Sequence, residues 1–115
     1  MTNAELAMTI RRLRTASKKE GQAIWRALAD ELDRAKRRRN AVNLSKINRY
    51  TDDGDFVAIP GKVLGSGLLE HPVTVAAFSF SRNAREKIVL AGGRNMSLVE
   101  LHAEGVNPSK VKILK

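Results

Sequence analysis

The cations of this 115-residue chain are distributed very unevenly, and that asymmetry restricts what its first half can become. Residues 1–50 hold 13 Lys and Arg against 5 Asp and Glu, a balance of +8, whereas residues 51–115 hold 8 against 7, a balance of +1. The density peaks at Lys36-Arg37-Arg38-Arg39-Asn40, four consecutive cations at the edge of a helix-like region. Such a cluster repels itself, and a polyanionic surface is the usual relief. Nucleic acid is the leading partner on this ground. The blander reading, a solvated or localisation-type tract, is weakened by the company the run keeps: Arg11, Arg12, Arg14, Lys18, Lys19, Arg26 and Arg34 before it, Lys46 and Arg49 after it.

Length and composition set the remaining bounds. A chain this long is expected to form one domain, large enough to bury about two-thirds of its unfolded surface. A hydrophobic content of 43% with clear periodicity argues against a disordered basic tail. No apolar run approaches the roughly 18 residues needed to span a bilayer, and the polar start Met1-Thr2-Asn3-Ala4-Glu5 is no secretion signal. Without cysteine there is no disulfide framework and no thiol chemistry, so the cytoplasm is the simplest compartment. Aromatic residues make up only 4%, which disfavours a base-stacking platform and favours contacts to phosphate.

Periodicity divides the chain into a basic helical part, residues 1–50, and an α/β core, residues 51–115. Thr2 and Glu5 fit a capping box, and Leu6, Ile10 and Leu13 then form one apolar stripe. Arg11, Arg14 and Lys18 fall on other faces, and Gly21 is placed to stop the helix. Ile24, Leu28 and Leu32 mark a second helix, with Trp25 bordering the stripe as a packing anchor. Asn43 is expected to cap a third helix reaching about Tyr50, with Leu44 and Ile47 inward and Lys46 and Arg49 outward. Phe56-Val57-Ala58-Ile59 reads as a strand punctuated by Pro60-Gly61, and Val73–Phe80 as the clearest strand. Ser81 opens a helix that ends at Gly92-Gly93, with Ala84, Ile88 and Ala91 on one face. Ser97 and Glu100 make a second capping box, and Val111–Leu114 a final strand.

The search for chemistry is largely negative. Gly61-Lys62-Val63-Leu64-Gly65-Ser66-Gly67 fails as a nucleotide-binding loop, because its Lys follows the first Gly and no helix signal follows the last. A tight turn between strands is the simpler reading, although glycines beside Lys62 would let an RNA backbone approach closely. His71 and His102, without cysteine or a carboxylate cluster, make a poor metal site. Ser66, Ser79 and Ser81 lack a nucleophile elbow. Asp52, Asp53 and Asp55 do not continue into a calcium loop and read as a solvated turn. Neither an enzyme nor a cofactor is expected.

Three segments carry a family resemblance: Asn43-Leu44-Ser45-Lys46-Ile47-Asn48-Arg49-Tyr50, the Pro60–Gly67 loop segment, and Val73–Ser81, followed by a helix ending in Ala91-Gly92-Gly93. Together they resemble the ribosomal protein eighteen-e family of archaea and eukaryotes, related to bacterial large-subunit protein fifteen. The likeness covers essentially the whole chain, and its length is similar to that of the archaeal members. It implies an irregular ββα-type α/β core behind a basic N-terminal helical extension. It also implies a structural constituent of the large ribosomal subunit, bound to large-subunit ribosomal RNA beside neighbouring ribosomal proteins, without enzymatic role. The candidate RNA-binding residues are Arg11, Arg12, Arg14, Lys18, Lys19, Lys36, Arg37, Arg38, Arg39, Asn40, Asn43, Lys46 and Arg49, with Lys62, Gly65, Ser66 and Gly67 from the loop. The alternatives are an RNA-binding chaperone or regulator outside the ribosome, or a basic module that meets an acidic protein.

Overall fold

The computed structural model describes residues 3–34 and 40–115. Thr2 of the first expected capping box, the basic residues Lys36, Arg37, Arg38 and Arg39, and the side chain of Asn40 lie outside the described residues. Two helices, α1 (Asn3–Glu20) and α2 (Ala23–Asp33), come first. Then follow β1 (Asn40–Asn43), α3 (Leu44–Tyr50), β2 (Phe56–Leu64), β3 (Thr74–Phe80), α4 (Arg82–Leu90), β4 (Arg94–Ser97), α5 (Leu98–Ala103) and β5 (Val111–Ile113).

Every strand pairing is parallel, in the order β1-β2-β3-β4 with β5 also on β2. A sheet of this kind must be covered on both faces, and the alternation along its central strands assigns each side chain to one of them. Ala58 and Ala76 face one way, against a core made by Leu6, Ile10 and Leu13 of α1, Trp25, Leu28 and Leu32 of α2, and Leu98 and Leu101 of α5. Val57, Ile59, Val63, Val75 and Ala77 face the other way, against Leu44 and Ile47 of α3 and Ala84 and Ile88 of α4. The result is a three-layer α/β fold in which the basic N-terminal helices bury their expected stripes on the sheet. Trp25 is 1% exposed; its indole donates to the Gln22 side chain at 2.7 Å and its ring meets His102 edge-on, so it is a packing anchor.

Local signals behave as expected at most helix ends. The Gly21 N–H closes on the Ser17 carbonyl at 2.8 Å, the Ser81 hydroxyl accepts from the Ala84 N–H, and Ser97 and Glu100 form the full capping box. Asn43 does occupy the position before α3, but its side chain makes no capping hydrogen bond; it ends β1, in register with Leu64 of β2.

Pro60-Gly61 does not end the strand, contrary to expectation. β2 continues to Leu64, and the pair sits where its register on β3 shifts between Ile59 and Lys62. A proline there removes one ladder donor at the point where the ladder is already interrupted. The shift divides one edge of β2 between two partners: β5 takes Phe56–Ala58 and β1 takes Gly61–Leu64. Two strands, β1 and β4, have no counterpart in the sequence pattern. The segment Gly61–Leu64 is therefore strand, and only Gly65–Gly67 remains loop.

Between β2 and β3 there is no crossover helix. Residues 65–73 must return from the end of β2 to the start of β3, a distance of roughly 26 Å at strand rise, within a reach of roughly 33–36 Å. The connection is thus nearly extended, and it is pinned along α3. Asn48 and Glu70 exchange two hydrogen bonds of 2.8 and 2.9 Å, Thr51 meets the His71 ring at 2.9 Å, and Leu69 is buried. That path is what places the glycines between α3 and α4.

Candidate nucleic-acid interface

Helical geometry sorts the cations of α1. Taking Leu6, Ile10, Leu13 and Ala16 as the buried side, Arg11 with Lys18 and Arg12 with Lys19 form two outward rows, each pair two turns or roughly 10 Å apart. All four are exposed, and none makes a hydrogen bond or ion pair among the described residues. Phosphates along a nucleic-acid backbone need such uncommitted donors.

Arg14 differs. α2 packs against α1 and brings Asp33 and Asp30 to its guanidinium at 2.9 and 3.3 Å. The hydrogen bond to Asp33, then that to Asp30, raises the Arg14 pKa further above its already high ordinary value. Arg26 also leans on Asp30 at 3.8 Å, and Arg34 on Glu31 at 3.1 Å. Glu31 additionally takes the Lys115 ammonium at 2.8 Å, which holds its carboxyl below the usual range. Of the basic first half, Arg14, Arg26 and Arg34 are therefore committed internally. A groove of about 650 Å³ runs beside α1, floored by Leu6, Ala7 and Ile10 and rimmed by Arg11, Arg14 and Lys18. Asp33 lines it as well, three residues before Lys36.

The remaining candidates lie on α3 (Lys46 and Arg49), on β2 (Lys62) and in the loop that follows β2. Arg49 and Lys62 are exposed and form no ion pair among the described residues, whereas Lys46 donates to the Lys115 carbonyl. The loop itself is held on three sides. Ser45 N–H donates to the Ser66 carbonyl at 3.1 Å, and the Lys87 ammonium donates to the carbonyls of Gly65 and Gly67 at 2.8 and 2.9 Å. Gly67 has φ +89°, and a Cβ there would stand 2.6 Å from Ser45 Cβ; at Gly65 it would stand 2.8 Å from Asn83 Nδ2. Glycine is required at Gly67 on both counts. Ser66 and Gly67 are exposed at the rim, while Gly65 is buried.

Sequence reasoning passes over Lys87 and Asn83, which shape this loop from α4, and Arg85, whose guanidinium lies 5.5 Å from the Phe80 ring centre. Ser81 capping α4 is the available signal, since it starts that helix beside the end of β3. The acidic turn is not merely solvated, contrary to expectation: Asp55 accepts from Lys112 at 2.8 Å and from the Asp52 N–H at 2.8 Å. No group of three or more potential metal-ligating side chains occurs among the described residues, and no helix of the described residues is long and apolar enough to cross a membrane.

Comparison with known proteins places this arrangement in a family. Residues 29–96 match the model of the ribosomal proteins 50S-L15, 50S-L18e and 60S-L27A. The chain is 48% identical to the large ribosomal subunit protein eL18 of Methanothermobacter thermautotrophicus over 114 residues, which is 99% of this chain and 94% of the relative. It is 44% identical to the protein of the same name from Sulfolobus acidocaldarius, over 100% of this chain and 97% of that one. The eL18 of Methanococcus maripaludis is also 44% identical, over 98% and 94% respectively. The chain belongs to the L15/L18e family of ribosomal proteins, whose members are structural rather than enzymatic.

Proposed function

We propose that this protein is a structural constituent of the large ribosomal subunit and binds large-subunit ribosomal RNA as one domain. The outward cations of α1, the Lys36–Arg39 run, Arg49, Lys62 and the exposed Ser66 of the glycine loop supply the contacts. The observation that carries this reading is the sorting of charge on α1. Arg11, Arg12, Lys18 and Lys19 stay uncommitted while their neighbour Arg14 is neutralised by two aspartates. A protein that used charge only for solubility would gain nothing from segregating it in this way. Contacts of this kind read the shape of a folded RNA through its phosphates rather than its base edges. The curated relatives, named as large-subunit proteins, support the same assignment.

Neighbouring ribosomal proteins are the second class of partner. Val89 and Leu90 at the end of α4 are 60% and 85% exposed, apolar surface of the kind such contacts cover. The site of action is the ribosome. The direct test is co-sedimentation of the tagged protein with large subunits from its own source at high salt. Retention in the subunit fraction is expected. Recovery in free RNA complexes would favour a chaperone or regulator, and recovery with protein alone would favour an interaction module.

A further inference from the structure

Lys87 is a cation whose position the RNA-binding role does not by itself explain. It is half-buried on α4, and its ammonium spends two of its three donors on the carbonyls of Gly65 and Gly67. From the other side, Ser45 of α3 donates to the carbonyl of Ser66 between them. Three successive carbonyls of the loop are thus drawn toward protein donors, and no helix crossover stiffens the connection that follows. We infer that Lys87 is a positioning residue for RNA recognition: it sets the Gly65–Gly67 backbone in its binding shape without itself touching phosphate.

The physical argument is one of preorganisation. A glycine loop has the largest conformational freedom of any backbone, so ordering it at the moment of binding would weaken association. Lys87 meets that cost within the folded protein. Its charge is directed at two carbonyl oxygens, which leaves the exposed Ser66 and Gly67 to face the ligand. This role rests on the proposal that the loop contributes to RNA binding, but the loop's order in the free protein is measurable independently of it.

The experiment compares wild type with Lys87→Met, Lys87→Arg and Lys62→Gln. Amide exchange and backbone order of residues 65–67 are read by NMR in the free proteins. Affinity for purified archaeal large-subunit ribosomal RNA is read across a salt series. Lys87→Met is expected to release the loop and weaken binding on the order of tenfold, through loss of preorganisation. Its dependence of log affinity on log salt should match wild type. Lys62→Gln should instead flatten that dependence by roughly 0.9, the signature of one phosphate no longer neutralised. Lys87→Arg, which keeps the charge and donor capacity, should recover part of the loop order and affinity. An unchanged loop in Lys87→Met would overturn the clamp, and so would a slope flattened like that of Lys62→Gln. A released loop with unchanged affinity would overturn the role in recognition. Failure of wild type to bind ribosomal RNA in a salt-dependent way would instead refute the proposed function, leaving the NMR comparison to decide the clamp.

Discussion

On one face of the sheet, α1 and α2 bury their stripes against Ala58 and Ala76, and α1 turns the unpaired cations Arg11, Arg12, Lys18 and Lys19 outward. On the other face, α3 and α4 bury theirs against Val57, Ile59 and Val75 and turn a cation inward, onto the carbonyls of a glycine loop. The same residue type is thus left free at four positions of α1 and committed to architecture at Lys87 of α4. The deciding factor is what the packing delivers to each side chain. Arg11 and Arg14 stand three residues apart on one helix, yet of the two only Arg14 has carboxylates brought to it.

The comparison fails first if the second face is not rigid. Gly93 is the sharpest probe, because a Cβ there would stand 2.3 Å from the Val73 carbonyl oxygen and 3.0 Å from the Val73 nitrogen, both backbone. Gly93→Ala should cost about 3 kcal/mol or more, since backbone rather than a flexible side chain must move. Chemical denaturation checks it, and a near-native midpoint would mean that the turn after α4 yields easily.

A second expectation concerns the basic run, which the sequence marks as a binding element rather than part of the core. Changing Arg37, Arg38 and Arg39 together to Gln should leave the melting temperature unchanged or slightly higher, because like-charge repulsion is relieved and helix propensity kept. Ribosomal RNA affinity should fall by about 10- to 100-fold, with a shallower salt dependence. Thermal melts beside binding titrations measure both. Early unfolding would reveal a structural network where a binding run was inferred.

The smallest effect should appear at Asp55. Its carboxyl is held below the ordinary range mainly by the Lys112 hydrogen bond, then by the Asp52 N–H. A depressed carboxyl stabilises the fold above its unfolded pKa, and that contribution disappears as pH falls through the folded value. Asp55→Asn should therefore melt slightly below wild type at neutral pH, and the two curves should converge under acid. A gap that persists in acid would place the effect in packing rather than charge.

Much of this architecture is legible in local sequence. The stripes of α1 and α2, the Ser81 cap and the Ser97–Glu100 box all act within a few residues of themselves. β1 and β4 escape because each is a short, polar-rich stretch of four residues around a buried Val42 or Met96; their strand character comes from pairing with β2 and β3. Pro60 misleads because proline normally interrupts a strand, and only the paired register shows that the interruption is local. The site divides in the same way. Exposed cations on α1 follow from helical period, but Asp30 and Asp33 lie 16 and 19 residues from Arg14, a pairing that only the packing of α2 on α1 creates. Lys87 is invisible for a like reason, its partners being 20 and 22 residues away.

Uncommitted cations should bind RNA and paired ones should not, and salt dependence separates the two most directly. Two variants are compared with wild type: Arg11, Arg12, Lys18 and Lys19 all changed to Gln, and Arg14, Arg26 and Arg34 all changed to Gln. Log affinity for large-subunit ribosomal RNA is plotted against log salt. The first variant should flatten the slope by roughly 3.6, at about 0.9 for each of the phosphates left without a cation, while its melting temperature stays near wild type. The second should keep a slope close to wild type and lose a little stability through its broken surface pairs. A second variant that flattens the slope as much as the first, residue for residue, would contradict the account, because binding would then follow total charge rather than its pairing.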